Sequence, residues 1–475
     1  MQNIETTTLE DLYSLRSNFL VIGLTGRQGS GCSTVANILS KKKFKDCKFP
    51  KPVTNKFDNS EDRKYNITHR FLTENWSQFT LIRASDIIVS IILQYDLKEL
   101  VAFLEREYSE LLTEVSKIEK ELIEDFNKTK NSFQSVFSDL NAFELKEDVS
   151  HHYVEDDKLS KFSLKLKKTF QGLIKDGLPT PFQKFGDNIR KSGNPYNKTD
   201  FDTKNSYTIS FIIKQLIKQI HSKNGKKSTK IVIDSIRNSF EARYFRERYS
   251  AFYLFAITTD NEFREKRLAK TLSLPQIKSL DTEYDRNVDT KESFYCQDIK
   301  ACIQMSDVYL NNPDCEEGDS LSEIKTNILR YLSLISQPGI ITPTPQERTM
   351  QIAYTAKYNS GCISRQVGAV VTDPYYSVKS IGWNNTPEGQ TPCLLRNAED
   401  LVNNVDEVSF SKYEKTETIK EVVEKGLMVE GYKGKLKGKN LCFCFKQVQN
   451  SIDSYKNQVH TRSLTRRRKC YATNL

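Results

Sequence analysis

Histidine, glycine and proline are scarce in this chain, and no long apolar run is present. Its 475 residues carry 19 glycines and 13 prolines, too few for a collagenous or low-complexity protein. The longest apolar stretch, Ile87–Leu93, has the length of one buried strand or two helical turns. A membrane-crossing helix needs roughly 20 apolar residues, so a membrane partner is not expected. The opening residues, MQNIETTTLEDL, are acidic and polar and carry no basic or apolar leader segment. A soluble, cytoplasmic protein is the expectation. Cysteine is not scarce: ten are scattered along the chain. Without a secretory signal they read as reduced thiols or remnants of a metal site, not as a disulfide framework.

What is present is a polar but globular composition, with 37% hydrophobic, 11% aromatic and 28% charged residues. At about 100–200 residues per domain, the length allows two to four domains. Lysine and arginine number 71 against 61 acidic residues, a net charge of +10. The lysines are spread out, and the one dense basic run, Arg466-Arg467-Arg468-Lys469, lies at the extreme C-terminus. Spread charge reads as a solvated surface. Nucleic acid is not an expected partner, because basic charge alone gives only weak, salt-sensitive phosphate binding.

Hydrophobic periodicity divides the chain. Phe19–Leu24 is a short apolar run leading into GRQGSGCST at Gly26–Thr34, and VANILSKK follows with apolar residues at helical spacing. A buried parallel strand, a glycine-rich loop and a helix are expected in that order. From Leu97 to about Phe143, apolar residues recur at three- and four-residue steps. That spacing predicts one long amphipathic helix paired with the next, an insertion over about 95–170 serving packing or self-association. A second copy of this chain is the candidate partner there. Glu147–Lys168 is polar and reads as a connection. KIVIDSI (Lys230–Ile236) and YLFAITT (Tyr253–Thr259) read as further buried strands, with NSFEARYFRERY helical between them. A parallel sheet covered on both faces is the expectation. A last helix, about Leu321–Ile335, ends a first domain of 1–336 before the Pro/Gly/Thr linker 337–345. The second domain opens with the helical QERTMQIAYTAKYNS and continues with two strands, Gln366–Asp373 and Val378–Asn385. After a long polar stretch it reaches LCFCF at Leu441–Phe445.

Gly26, Gly31 and Ser33 fit the phosphate-binding pattern G-x-x-x-x-G-K-[ST], with Gly29 and Thr34 in the same loop and Cys32 where lysine belongs. The glycines let backbone N–H groups curl around phosphate, and the following helix points its positive end at the same place. A P-loop, nucleoside-kinase-like sheet holding a nucleoside triphosphate with magnesium is therefore expected. The lysine supplies positive charge on the β- and γ-phosphates, and phosphoryl transfer rests almost wholly on such electrostatics. Cysteine cannot replace it, so binding is expected and catalysis by this loop is not. Asp234 closes a strand, where a magnesium-organising carboxylate often sits. Arg264 and Arg267 are candidates for a phosphate clamp on a lid. FQKFGDNIRKSGNP (Phe182–Pro195) resembles the substrate-side helix of nucleoside-monophosphate kinases.

Further along, Ser360, Cys362 and Arg365 give S-x-C-x-x-R at the end of a helix, and Val367–Val370 gives V-G-A-V. Gly382, Asn384 and Pro387 then give G-x-N-x-x-P at the end of a strand. These spaced matches resemble the start of the cytidine and deoxycytidylate deaminase domain. With a P-loop domain ahead, the chain as far as Leu464 resembles the bacterial antiphage deoxycytidine-nucleotide deaminases, which often carry the same lysine-less loop. The resemblance implies an α/β deaminase domain and zinc-dependent hydrolysis of dCTP or dCMP to the uracil form, which starves a phage of dCTP. It also implies deoxycytidine nucleotides as partners, with Asn384 and Arg365 as substrate contacts.

That chemistry needs zinc on one His and two Cys, acidifying a water beside a proton-shuttling Glu, in the signature H-x-E and P-C-x-x-C. None of His69, His151, His152, His221 and His460 has Glu two residues later, and C-x-x-C is absent. Cys442 and Cys444 give only C-x-C, which on a strand would face one side. In the family, N-Q-V-H-T-R-S-L runs into H-A-E-E, whereas here Asn457–Leu464 is followed by TRRRKCYATNL. One set of codons for Leu464–Cys470, with a single nucleotide restored after the leucine codon, reads His-Ala-Glu-Glu-Lys-Met. The expectation is a one-nucleotide deletion that leaves a partial deaminase domain at 346–464 and an aberrant basic tail at 465–475. The gene sequence tests it. Neither catalytic residues nor a zinc site are expected in this chain, and a sheet cut short would expose an unpaired edge and an apolar face. The alternatives are a non-catalytic nucleotide-binding regulatory module and a nucleoside-monophosphate kinase.

Overall fold

Five apolar segments pair into one parallel sheet in the computed structural model, which describes residues 18–53, 59–174, 179–197, 201–225, 228–285, 292–313, 321–427 and 438–455. The strands are β1 (Phe19–Thr25), β2 (Thr80–Arg83), β3 (Thr229–Asp234), β4 (Phe252–Thr258) and β5 (Val308–Asn311). Their order across the sheet is β2-β3-β1-β4-β5, and every pairing is parallel. Near-continuous apolar runs suit such a sheet because both of its faces are covered. Successive side chains point to opposite faces. Val21, Ile82, Ile231, Ile233 and Leu254 enter one core, while Leu20, Ile22, Leu24, Val232, Phe255 and Ile257 enter the other.

Helices fill the connections. Between β1 and β2 lie α1 (Cys32–Leu39) and α2 (Ser60–Asn75). Between β2 and β3 come α3 (Ala84–Ile92), α4 (Leu97–Glu107), α5 (Leu112–Phe133), α6 (Lys158–Thr169), α7 (Pro181–Ser192) and α8 (Thr208–Asn224). α9 (Ser239–Arg248) joins β3 to β4, α10 (Asn261–Leu268) follows β4, and α11 (Ser322–Ser336) follows β5. α1, α2 and α11 pack on the Leu20–Ile22–Leu24 face, and α3 to α9 pack on the other. The result is a mixed α/β fold with a parallel five-stranded sheet and flanking helices. The longest apolar run of the sequence forms α3, which is buried nearly all round between the sheet and its neighbours. Among the described residues no helix is long and apolar enough to cross a membrane.

Two local expectations are corrected. The apolar spacing after Leu97 builds two helices, because Tyr108 leaves helical geometry at φ −125° and ψ 43° and sends its hydroxyl 2.6 Å to the Pro179 carbonyl. α4 and α5 can then fold back on one another, and their apolar faces share one core with the sheet. The polar stretch before Lys168 is not a bare connection. α6 buries Leu159, Phe162 and Leu166 at steps of three and four while Lys158, Lys161 and Lys168 are exposed.

The chain divides into two compact units, Met1–Ile341 and Thr342–Leu475. The second opens with α12 (Pro345–Ala356), started by a reciprocal cap between Thr344 and Glu347. An antiparallel hairpin follows, β6 (Gly368–Thr372) and β7 (Val378–Trp383). Gly368 permits close packing of helix on strand, since a Cβ there would collide with the α12 backbone at Ala353 and Lys357. A separate small core gathers Ala398, Leu401, Phe410, Ile419, Val423 and Phe443. Leu441–Cys444, expected to be extended if it held a metal, has no regular structure and leads into a helix at Phe445–Tyr455. Asn457–Leu464, His460 and the basic run lie outside the described residues.

Candidate functional site

The carboxyl end of the sheet in the first unit gathers the polar residues. β1 runs into Gly26, where a Cβ would stand 2.5 Å from the Ile257 carbonyl and equally near Ser30 Oγ, so only glycine fits. Gly29 and Gly31 take φ of +86° and +108°, the left-handed region that other residues avoid. Gly31 caps α1, and the first N–H groups of that helix, at Cys32, Ser33 and Thr34, have no acceptor within the helix. The loop thus presents donors at the positive end of a helix dipole, a geometry suited to an anion.

Its carbonyls are turned away and held. Arg264 Nε donates to Gln28 O at 2.7 Å, and the side chain is almost fully buried. Arg267 reaches Gly29 O at 3.3 Å, Ser30 O at 3.4 Å and Asn312 O at 3.0 Å, while Asn312 Nδ2 donates to Ser30 O at 2.7 Å. The two arginines expected as a phosphate clamp thus both lie against the loop, hydrogen-bonded to its carbonyls. Sequence could not show this, because the direction of those carbonyls follows from the unusual backbone of Gly29 and Gly31.

Ser33 and Asp234 come together. Ser33 Oγ donates to Asp234 Oδ2 at 2.8 Å, and the register sets Asp234 opposite both Leu24 of β1 and Arg83 of β2. A hydroxyl and a carboxylate so paired at the mouth of a glycine-rich loop are oxygen ligands of the kind magnesium takes. Cys32 does the opposite of a lysine. Its side chain is buried with Val35 and Leu39, and burial, helped by the nearby Asp234 charge, pushes the thiol up to about 12. It is neutral at physiological pH and brings no charge.

Four residues around Asp234 were missed by sequence. Arg83, at the end of β2, donates to Ser160 Oγ of α6 at 2.9 Å and lies 3.9 Å from Asp86, which opens α3. Burial raises the Asp86 carboxyl above its ordinary range, against the pull of Arg83 and Lys167. Arg237 lies just past β3 and donates to Ser235 Oγ at 3.3 Å. Lys167 comes from α6. Burial holds its ammonium below the ordinary 10.5, although Asp86 and Asp234 both pull it upward. Arg83 and Arg237 had a usable signal, since Arg83 closes β2 as Asp234 closes β3, and Arg237 lies three residues beyond β3. Lys167 had none, because its segment read as a connection. The helix resembling a substrate-side element is α7, where Arg190 is committed to Glu241 in a buried pair at 2.9 Å.

In the second unit, Asn384 is occupied locally. Its Oδ1 accepts from Val367 N at 2.6 Å, its Nδ2 donates to Arg365 O at 2.8 Å, and Arg365 is exposed. Asn384 thereby staples the entry of β6 to the exit of β7. The zinc implied by the resemblance does not fit the described residues. Those of the second unit include Cys362, Cys393, Cys442 and Cys444 but no histidine, and His69, His151, His152 and His221 all lie in the first. Among the described residues no group of three or more His, Cys, Asp or Glu side chains could hold a metal ion. Comparison with family models, curated proteins and solved structures gave no match to this chain.

Proposed function

We propose that the first unit binds a nucleoside polyphosphate with magnesium at the Gly26–Thr34 loop and serves as a nucleotide-binding module. The observation carrying this reading is the 2.8 Å bond from Ser33 to Asp234, at the lip of a loop whose carbonyls are held behind it. The strand order, with β1 central and β3 beside it, also supports a P-loop kinase-like sheet. When bound, magnesium would sit against the Ser33 hydroxyl and the Asp234 carboxylate and offset phosphate charge. Gly29, Gly31 and Thr34 would present backbone donors, with Arg264 and Arg267 holding the loop in shape. A neutral thiol at Cys32 leaves γ-phosphate charge uncompensated from that position, which argues against a nucleoside-monophosphate kinase working through this loop. The test is calorimetric titration of the full chain with ATP and dCTP, with and without magnesium. Binding that depends on magnesium and weakens at least tenfold in Asp234→Asn supports the reading. No binding at millimolar nucleotide sinks it.

A second reading concerns the other unit. A helix packed on a hairpin whose two ends are joined by Asn384 favours a deaminase-derived domain, with deoxycytidine nucleotides as the ligand class. The four cysteines of its described residues give no reason to assign it the hydrolysis. The purified chain is expected to lack both stoichiometric zinc and dCTP turnover, and finding the two together would overturn that assignment.

A further inference from the structure

We infer that Lys167, with Arg237 beside it, grips the phosphates of the bound nucleotide in place of the cation that position 32 lacks. The inference rests on the nucleotide reading of the first unit and extends it to a residue on a distant segment.

Geometry places Lys167 correctly. Ser160, Ser163 and Lys167 recur at steps of three and four on α6, so they share one helix face. Ser160 accepts the Arg83 guanidinium at the end of β2, which fixes that face over the carboxyl edge of the sheet. Lys167 stands within the fields of both Asp86 and Asp234, and Asp234 is the residue that holds Ser33. The ammonium is therefore beside the loop without being part of it. The residue is exposed and so can be reached by a ligand.

The lysine is uncommitted. Among the described residues its ammonium makes no hydrogen bond and no ion pair, and its close neighbour is the Phe182 ring, 5.6 Å away. The other charges nearby are engaged: Arg83 with Ser160, Arg237 with Ser235, and Asp234 with Ser33. A partly desolvated ammonium without a partner is costly to hold, and an anion bound beside it removes that cost. Lys167, Arg83 and Arg237 stand against Asp86 and Asp234, one positive charge in excess, so the site favours an anionic ligand. A polyphosphate seated on the loop is one.

The experiment measures dissociation constants of the full chain for ATP and dCTP with magnesium, with deoxycytidine as the uncharged control. Lys167→Gln and Arg237→Gln are each expected to weaken triphosphate binding about ten- to a hundredfold, the loss of one charge-assisted contact. Lys167→Arg should stay within about threefold of the original, since it keeps the charge. If Lys167→Gln binds as the unaltered chain does while Asp234→Asn does not, the inference is wrong and the nucleotide reading stands. If the unaltered chain binds neither triphosphate, the nucleotide reading fails first. A second readout needs no variant: labelling of Lys167 by an amine-reactive reagent, followed by peptide mass spectrometry. Protection by ATP supports the inference, and equal labelling with and without ATP overturns it.

Discussion

Lys230 shows how a single side chain records its surroundings. It lies on β3, buried, with its ammonium 5.8 Å from the Phe79 ring, and burial lowers it from the ordinary 10.5 to about 8. The unfolded chain therefore binds more protons than the folded one between those values, and this residue makes stability rise as pH climbs from about 8 toward 10.5. Between pH 7.5 and pH 10, urea denaturation should show the unaltered protein gaining stability relative to Lys230→Met. At pH 7.5 the variant should be more stable by about 2 kcal/mol, because the buried charge is gone. An identical pH response in both would mean that Lys230 keeps its charge in water. Legibility was uneven at this scale. Ser33 and Asp234 could be chosen because one closes a loop pattern and the other closes a strand. Lys167 is one lysine among many, and what distinguishes it is the absence of a partner, which only folded neighbours reveal.

Elements were legible where one period dominated. The runs at Phe19–Leu24, Lys230–Ile233 and Tyr253–Thr258 form strands, because apolar residues at every position suit a sheet buried on both sides. The stretch from Leu97 was misjudged. Its spacing continues through Tyr108, and the break depends on a hydrogen bond to Pro179, 71 residues away. α6 was missed because its exposed lysines mask a narrow apolar face of Leu159, Phe162 and Leu166. In the second unit, the fit of α12 on β6 depends on one hydrogen atom at Gly368. Gly368→Ala should destabilise that unit by about 1–3 kcal/mol, as overpacking against rigid backbone does. Denaturation followed by Trp383 fluorescence would check it, and an unchanged midpoint would show that the helix can move aside.

At the scale of the molecule, the two units differ in how completely they cover their sheets. In the first, helices lie on both faces. In the second, Val371, Ile381 and Trp383 of the hairpin remain 40–54% exposed, a condition a two-stranded sheet tolerates poorly by itself. The α/β class of the first unit follows from alternating strands and helices, whereas the supply of charge to its loop does not, since it depends on a helix inserted between β2 and β3.

That origin has a dynamic consequence. A ligand bridging Lys167 and the Gly26–Thr34 loop would tie α6 to the sheet edge while leaving α2, on the opposite face, untouched. Amide hydrogen exchange over 158–169 should then slow with ATP and magnesium bound, while exchange over 60–75 stays the same. Equal slowing of both segments would mean that the nucleotide tightens the whole unit, and that α6 answers to the fold and not to the phosphates.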